Sequence, residues 1–373
     1  MDKSQQVFLE LVKSGLWETE VKLSSFGEID YSAIYNLAEE QSVIGLVTAG
    51  LEHVTDVKVP QEWLLQFIGS TLQIEQQNKD MNGFVAELIG KLRSADIYAI
   101  LIKGQGIAQC YENPLWRSSG DVDLLLSDKN YQSATALLSK VATTVDDESE
   151  YKRHLAMTIE GWTVELHGSL RSGLWKGLDQ ELDKVQGDLF YGGKIRSWQN
   201  GRTQVFLPAP DDDGVFVFSH ILQHFFKEGI GLRQICDWCR LLLKYKMDLD
   251  TQLLELRLKQ MGVVTEWKAF AALAVDYLGM PVEAMPFYSD SSRWKKKASR
   301  IMEFVLETGN FGHNRDYSYR QKHSYLVLKT ISMWKHIQDF GRYFVIFPLN
   351  AIKVTWRRMI LGFSVALRGK THE

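Results

Sequence analysis

The hydrophobic period of this 373-residue chain changes twice, and that change limits the folds open to it. In the first 95 residues Phe8, Leu9, Leu11, Val12 and Leu16 recur at the spacing of one helix face. A longer helical stretch runs from Pro60, in a first-turn position, to about Arg93. From Tyr98 the pattern breaks into short apolar runs between glycines and polar turns: YAILI, DVDLLL, HLAMTI, TVEL and QVFL. These are strand signals, interleaved with one helical segment near Asn130 to Lys140. After Leu207-Pro-Ala-Pro-Asp the helical period returns and holds almost to the end. The reading is α+β, a mixed β-sheet core with flanking helices plus N- and C-terminal helical regions, divided as 1–95, 96–208 and 209–373.

Composition narrows the functional classes. A net charge of -3 gives no strong nucleic-acid signal. From Arg293 onward, however, 16 basic residues face 5 acidic ones, so the charge is unevenly distributed. Three cysteines are too few for a disulfide framework and fit a reducing, cytoplasmic setting. Cys236 and Cys239 have C-x-x-C spacing, but inside an apolar-periodic stretch they read as buried helical thiols. His220 and His224 share a helix face without the Glu of H-E-x-x-H, and packing over a cleft or inside the helical region is expected of them. Arg233 and Asp237, also four apart, are expected to form a structural ion pair. The N-terminus lacks the apolar region of a secretory signal, and no apolar run reaches the roughly 18 residues of a membrane span. The tail from Tyr343 to Leu367 mixes aromatics and cations, which would suit an anionic membrane surface, but Pro348 and central cations favour a packed last helix.

The chemistry centres on Gly120-Asp121-Val122-Asp123-Leu124-Leu125-Leu126. Residues i and i+2 of a strand share a face, which sets Asp121 and Asp123 side by side. A fold tolerates two adjacent carboxylates best with a divalent cation between them. Their repulsion is then unrelieved without metal, and Asp123→Asn should leave the metal-free fold at least as stable. Upstream, an apolar strand ends in Lys103-Gly104-Gln105-Gly106 and turns into a helix, a junction whose backbone N–H groups suit a phosphate, with Lys103 adding a point charge. Downstream, Thr163-Val164-Glu165-Leu166-His167 places Glu165 and His167 on one strand face, and Glu165 supplies a third carboxylate for Mg²⁺.

A Gly-containing strand-to-helix turn, D-h-D on the next strand and a later acidic residue resemble the nucleotidyltransferase superfamily of the DNA polymerase beta type. More closely, L-K-G, Tyr111 to Pro114, Arg117, Gly120 to Leu125 and Glu165-Leu166-His167 resemble the bacterial group of uncharacterised nucleotidyltransferases, over roughly residues 40 to 240. The paired histidines and Arg233 to Trp238 belong to the same likeness. The superfamily's usual turn is h-G-[GS], and Lys103-Gly104-Gln105 departs from it.

The resemblance implies a nucleotidyltransferase-type core that moves a nucleoside monophosphate from an NTP to an acceptor with release of pyrophosphate. It implies Mg²⁺ or Mn²⁺ held by Asp121, Asp123 and Glu165, with Glu165 also a candidate proton acceptor. Lys103, Gly104 and Gln105 would cradle the β and γ phosphates, Arg117 would contact a phosphate, and His167 would orient Glu165 or the acceptor. The acceptor, whether small molecule, saccharide, peptide or protein, is not encoded in a shared core. Two alternatives are a catalytically silent nucleotide-binding or regulatory module, and a membrane-surface partner in polysaccharide or peptide modification.

Overall fold

In the computed structural model of the chain, residues 1–149, 151–227, 229–314 and 338–368 are described. Four helices come first: α1 (Lys3–Trp17), α2 (Tyr31–Glu40), α3 (Ile44–Glu52) and the long α4 (Gln61–Ser94). Local signals set their ends. Asp2 and Gln5 form a reciprocal capping box on α1, Asp30 caps α2, and Pro60 stands immediately before α4.

The middle of the chain builds a seven-stranded sheet: β1 (Ala99–Ile102), β2 (Asp121–Leu126), β3 (Thr144–Val145), β4 (His154–Ile159), β5 (Trp162–His167), β6 (Ile195–Asn200) and β7 (Thr203–Pro208). Between them lie α5 (Gly104–Ala108), α6 (Asp128–Leu138) and α7 (Lys176–Tyr191). The spatial order is β3-β4-β5-β2-β1-β7-β6. The sheet is mixed: β1 runs antiparallel to β2, β2 parallel to β5, and β1 parallel to β7. All five runs read as strands are strands, and β3 and β6 are additional edge strands. A two-residue loop, Glu160-Gly161, joins β4 to β5 with both residues at positive φ, the backbone form that matches strand twist.

Alternation along β2 divides its side chains between two environments. Val122, Leu124 and Leu126 join Leu101, Val164 and Leu166 in a core packed with Phe84, Leu88 and Leu92 of α4 and with Tyr131, Ala134 and Leu138 of α6. Leu125, with Ile100 and Ile102, belongs to a second core shared with the helices that follow. Those are α8 (Pro210–Lys227), α9 (Leu232–Lys244), α10 (Thr251–Met261), α11 (Val264–Leu278), α12 (Ser292–Thr308), α13 (338–346 as described) and α14 (Pro348–Arg368). The same core takes in Phe8, Leu11 and Leu16 of α1 and Val47 and Leu51 of α3, so the two helical regions meet. Trp17 Nε1 donates to the carbonyl of Leu278, and the Gln41 side chain bonds the carbonyl of Val305.

The described part of the tail packs on this core through Tyr343, Ile346, Phe347, Ala351 and Val354. Its central cations contact the body: Lys353, itself exposed, lies over the Trp175 ring, Arg357 pairs with Asp179, and Arg358 donates to the carbonyl of Phe226. The basic residues between 315 and 337 and the side chains from 361 onward lie outside the described residues. Among the described residues no helix is long and apolar enough to cross a membrane.

Candidate active site

Parallel pairing of β2 with β5 sets Asp121 opposite Thr163 and Asp123 opposite Glu165. Both strands show the same face, so residues 42 positions apart in the chain become neighbours. Oxygens of Asp121, Asp123 and Glu165 all lie within 4.8 Å of one another. The antiparallel partner β1 ends beside Asp123 and delivers Lys103 there, and Ile102 is the residue paired with Asp123. The resulting cleft is lined by Lys103, Arg117, Asp121, Asp123, His220 and Arg233, with α8 and α9 closing it from the helical side.

Nitrogen groups already occupy the carboxylates. Lys103 Nζ and His167 Nε2 each approach Asp123 Oδ1 to 2.8 Å. His154 Nε2 lies 2.9 Å from Glu165 Oε2, and His167 Nε2 lies 3.4 Å from the same oxygen. The repulsion between the two aspartates is therefore partly relieved without metal, contrary to the expectation from sequence. Asp123→Asn removes a partner from both Lys103 and His167 and should cost the metal-free fold stability.

The electrostatics follow from this crowding. The charge of Asp123, then burial, pushes the Asp121 carboxyl above the usual range. Burial also works against a charged Glu165, but hydrogen bonds from His154 and His167 and the charge of Lys103 outweigh it, holding Glu165 well below the usual carboxylate range. The same balance raises Lys103: burial disfavours its ammonium, and Asp123, Asp121 and Glu165 together more than compensate. His167 is raised because its bonds to Asp123 and Glu165 outweigh burial. His220, 3.3 Å from Lys103 Nζ, is pushed well below its usual value by burial and then by the Lys103 charge, so it is a neutral ring. Its Nε2 lies 3.1 Å from that of His224. Of the paired histidines, expected over a cleft or inside the helical region, His220 lines the cleft and His224 lies against it.

Lys103 has φ 58° and ψ -147°, a backbone conformation that a side-chain-bearing residue adopts at a cost of about 1–3 kcal/mol. Gly104 follows at φ 41°. The strained pair aims the Lys103 ammonium at Asp123. The helix after it, α5, has only five residues, so its dipole adds little and the turn's own N–H groups and Lys103 carry any attraction for phosphate. Gln105 lies in this turn, but its side chain is buried and donates to Asn78 Oδ1 and Met81 Sδ. Arg117 lines the cleft with its fork engaged: Nε and Nη2 hold the two oxygens of Asp237, and Nη1 bonds Ser118 and Ser119. Tyr111 donates to the same Asp237, and Arg233 donates to the carbonyl of Ser118. This buried set fixes the segment that leads into Asp121.

Sequence reasoning missed His154. Its signal lay in the alternation of HLAMTI, which leaves His154, Ala156 and Thr158 on the face opposite Leu155, Met157 and Ile159. Cys236 and Cys239 are fully buried in α9, and burial pushes both thiols up. The groups of metal-ligand type found among the described residues, Asp121–Asp123–Glu165 and His154–Glu165–His167, contain neither cysteine.

A D-x-D strand, a third carboxylate on its parallel neighbour and a Gly-containing turn above them, on a mixed sheet with flanking helices, are the marks of a nucleotidyltransferase-type fold. The chain belongs to the family described as uncharacterised nucleotidyltransferase, whose model matches residues 27–279. That span is wider than the 40 to 240 carrying the resemblance, and takes in helices α2 to α4 and all of α9 to α11. No curated protein and no solved structure matches the chain.

Proposed function

We propose that this nucleotidyltransferase-family chain transfers a nucleoside monophosphate from an NTP to an acceptor, with release of pyrophosphate. The observation that carries the reading is the convergence of Asp121, Asp123 and Glu165 at one end of a cleft into which Lys103 is aimed at a cost in backbone strain. The all-oxygen donor set suits Mg²⁺ or Mn²⁺, and the raised carboxyl of Asp121 is what the neighbouring charge of Asp123 produces. A divalent ion held there supplies charge neutralisation at the α-phosphoryl group and lowers the pKa of an acceptor hydroxyl.

The chain's own groups have distinct tasks in this reading. Glu165 faces His154 at 2.9 Å and His167 at 3.4 Å, a setting better suited to holding a cation than to taking a proton. Lys103 neutralises Asp123 in the resting protein; positive charge arriving at the carboxylates weakens that pairing and leaves the ammonium available to a phosphate. Neutral His220 accepts from Lys103 and so keeps it directed along the cleft. Gly104 and Gln105 contribute backbone N–H groups of the turn. Arg117 acts by fixing the 113–120 segment through Asp237 and is available to a phosphate only if that pairing loosens.

Incubation of the protein with Mg²⁺, each labelled NTP and a cell extract tests the proposal. Metal-dependent pyrophosphate release with label on an acceptor is expected for one or more NTPs. Nucleotide binding without pyrophosphate release would instead identify a silent regulatory module. Arg357 and Arg358, held by Asp179 and by the carbonyl of Phe226, favour the packed-tail reading over a membrane-surface partner, and negligible cosedimentation with anionic liposomes is expected.

A further inference from the structure

We infer that His154, Glu165 and His167 form a nitrogen-containing subsite for a divalent transition-metal ion, beside the all-oxygen pair Asp121 and Asp123 and sharing Glu165 with it. The β4–β5 hairpin register sets His154 directly opposite His167, and Glu165 precedes His167 by two positions on the same strand face. The two rings lie 4.7 Å apart between centroids. One ligand atom from each of the three residues falls within 4.8 Å of the other two. Their side chains are 28%, 24% and 14% exposed, so an ion can enter without opening the fold.

The donor set decides the class of ion. Mg²⁺ takes oxygen ligands in a near-ideal octahedron and gives up water reluctantly, which two imidazoles do not favour. Imidazole suits zinc, cobalt and their neighbours in the first transition row. Two histidines and one carboxylate are also the three-ligand arrangement that leaves positions open for water or a reacting oxygen. His167 Nε2, now 2.8 Å from Asp123 Oδ1, cannot serve that aspartate and an ion at once. Filling the subsite therefore releases Asp123 from His167 for its own cation. The site goes beyond the transfer reading and stands without nucleotide, so its test omits nucleotide.

Untagged, full-length, metal-free protein is titrated with Co²⁺, followed by its visible absorption, and then challenged with Zn²⁺ and with Mg²⁺. One equivalent of Co²⁺ should give the intense bands of a low-coordinate, nitrogen-ligated ion. Zn²⁺ should abolish them, and a hundredfold excess of Mg²⁺ should not. His154→Gln should weaken Co²⁺ binding by at least about 10-fold, the smaller end of what loss of even an outer partner costs a metal site. Asp121→Asn, which touches only the oxygen pair, should change it less than about threefold, and a melting curve of His154→Gln like that of the parent protein guards against a variant that merely misfolds. Absence of Co²⁺ binding, equal displacement by Mg²⁺, or loss of binding in Asp121→Asn but not in His154→Gln would overturn the subsite. None of these outcomes bears on pyrophosphate release, which tests the transfer reading separately.

Discussion

Two buried aspartates, Asp123 and Asp237, both meet cations on opposite sides of the same cleft, yet their surroundings differ in kind. Asp237 receives the two-pronged fork of Arg117 and the hydroxyl of Tyr111. Burial raises the Tyr111 hydroxyl well above its usual value, and Asp237 raises Arg117 in spite of burial, so both donors keep their protons. Asp123 shares its space with Asp121 and Glu165 and relies on a flexible ammonium and an imidazole. Burial and ion pairing are common to both. An excess of like charge, open to a cleft and held by partners that can leave, belongs to Asp123 alone of the two.

The contrast is open to direct attack, and the largest effect should come from Asp121→Asn. Loss of this carboxylate from the proposed cation site should cut transfer by about 10³-fold or more, some 4 kcal/mol in the barrier, with the melting temperature of the metal-free protein unchanged or higher. A variant that kept its activity would remove the distinction between the two aspartates. At Asp237 the loss should fall on stability instead. Asp237→Ala leaves the Arg117 charge buried without its partner, and chemical denaturation should show a cost of about 3–5 kcal/mol. Asp123→Asn should fall between them, losing transfer as completely as Asp121→Asn and also about 1–3 kcal/mol of metal-free stability, because Lys103 and His167 lose an acceptor.

Lys103 sharpens the comparison from the cation's side. Lys103→Met should weaken Mg²⁺-dependent nucleotide binding by about 10- to 50-fold, or about 1.4–2.3 kcal/mol, in thermal-shift titrations. Lys103→Gly should weaken it similarly while recovering about 1 kcal/mol of stability from the relieved positive φ.

A third buried acid sets the lower end of the range. Glu266 accepts a hydrogen bond from the Asn350 carboxamide, and burial pushes its carboxyl up to about 7. Its folded value lies above its unfolded one, so the stabilising contribution of the bound proton is complete below about pH 4.5 and is lost as pH rises to about 7. Stability should fall by about 3 kcal/mol across that window on this residue's account, and Glu266→Gln should flatten that part of the curve. Asp213, pushed to about 6 chiefly by burial, has the same sign and should leave a residual slope in the variant.

The sequence made one partner in each of these comparisons easier to see than the other. Strong alternation in DVDLLL and HLAMTI marked β2 and β4, and the D-x-D and E-x-H spacings marked Asp121, Asp123, Glu165 and His167 before any coordinates. Edge strands β3 and β6 were not legible, since a two-residue strand and the mostly polar IRSWQN bury too little apolar surface to leave a pattern. His154 and His220 escaped as site residues because their meaning depends on pairing: His154 faces His167 only through hairpin register, and His220 reaches Lys103 across 117 positions. The direction of Arg117 was equally hidden. Its loop suggested phosphate, but its fork turns to an aspartate 120 positions away.

The union of the first and last helices in one core has a consequence for the order in which the chain is made. Trp17 on α1 finds the carbonyl of Leu278 only after 261 further residues have been synthesised. At roughly 5–20 residues per second, that is an interval of about 13–50 s. Through that time Phe8, Leu11 and Leu16 have part of their eventual cover still inside the ribosome. The nascent N-terminal helices are therefore the segment most exposed to premature association, and the point at which a chaperone would have most to shield.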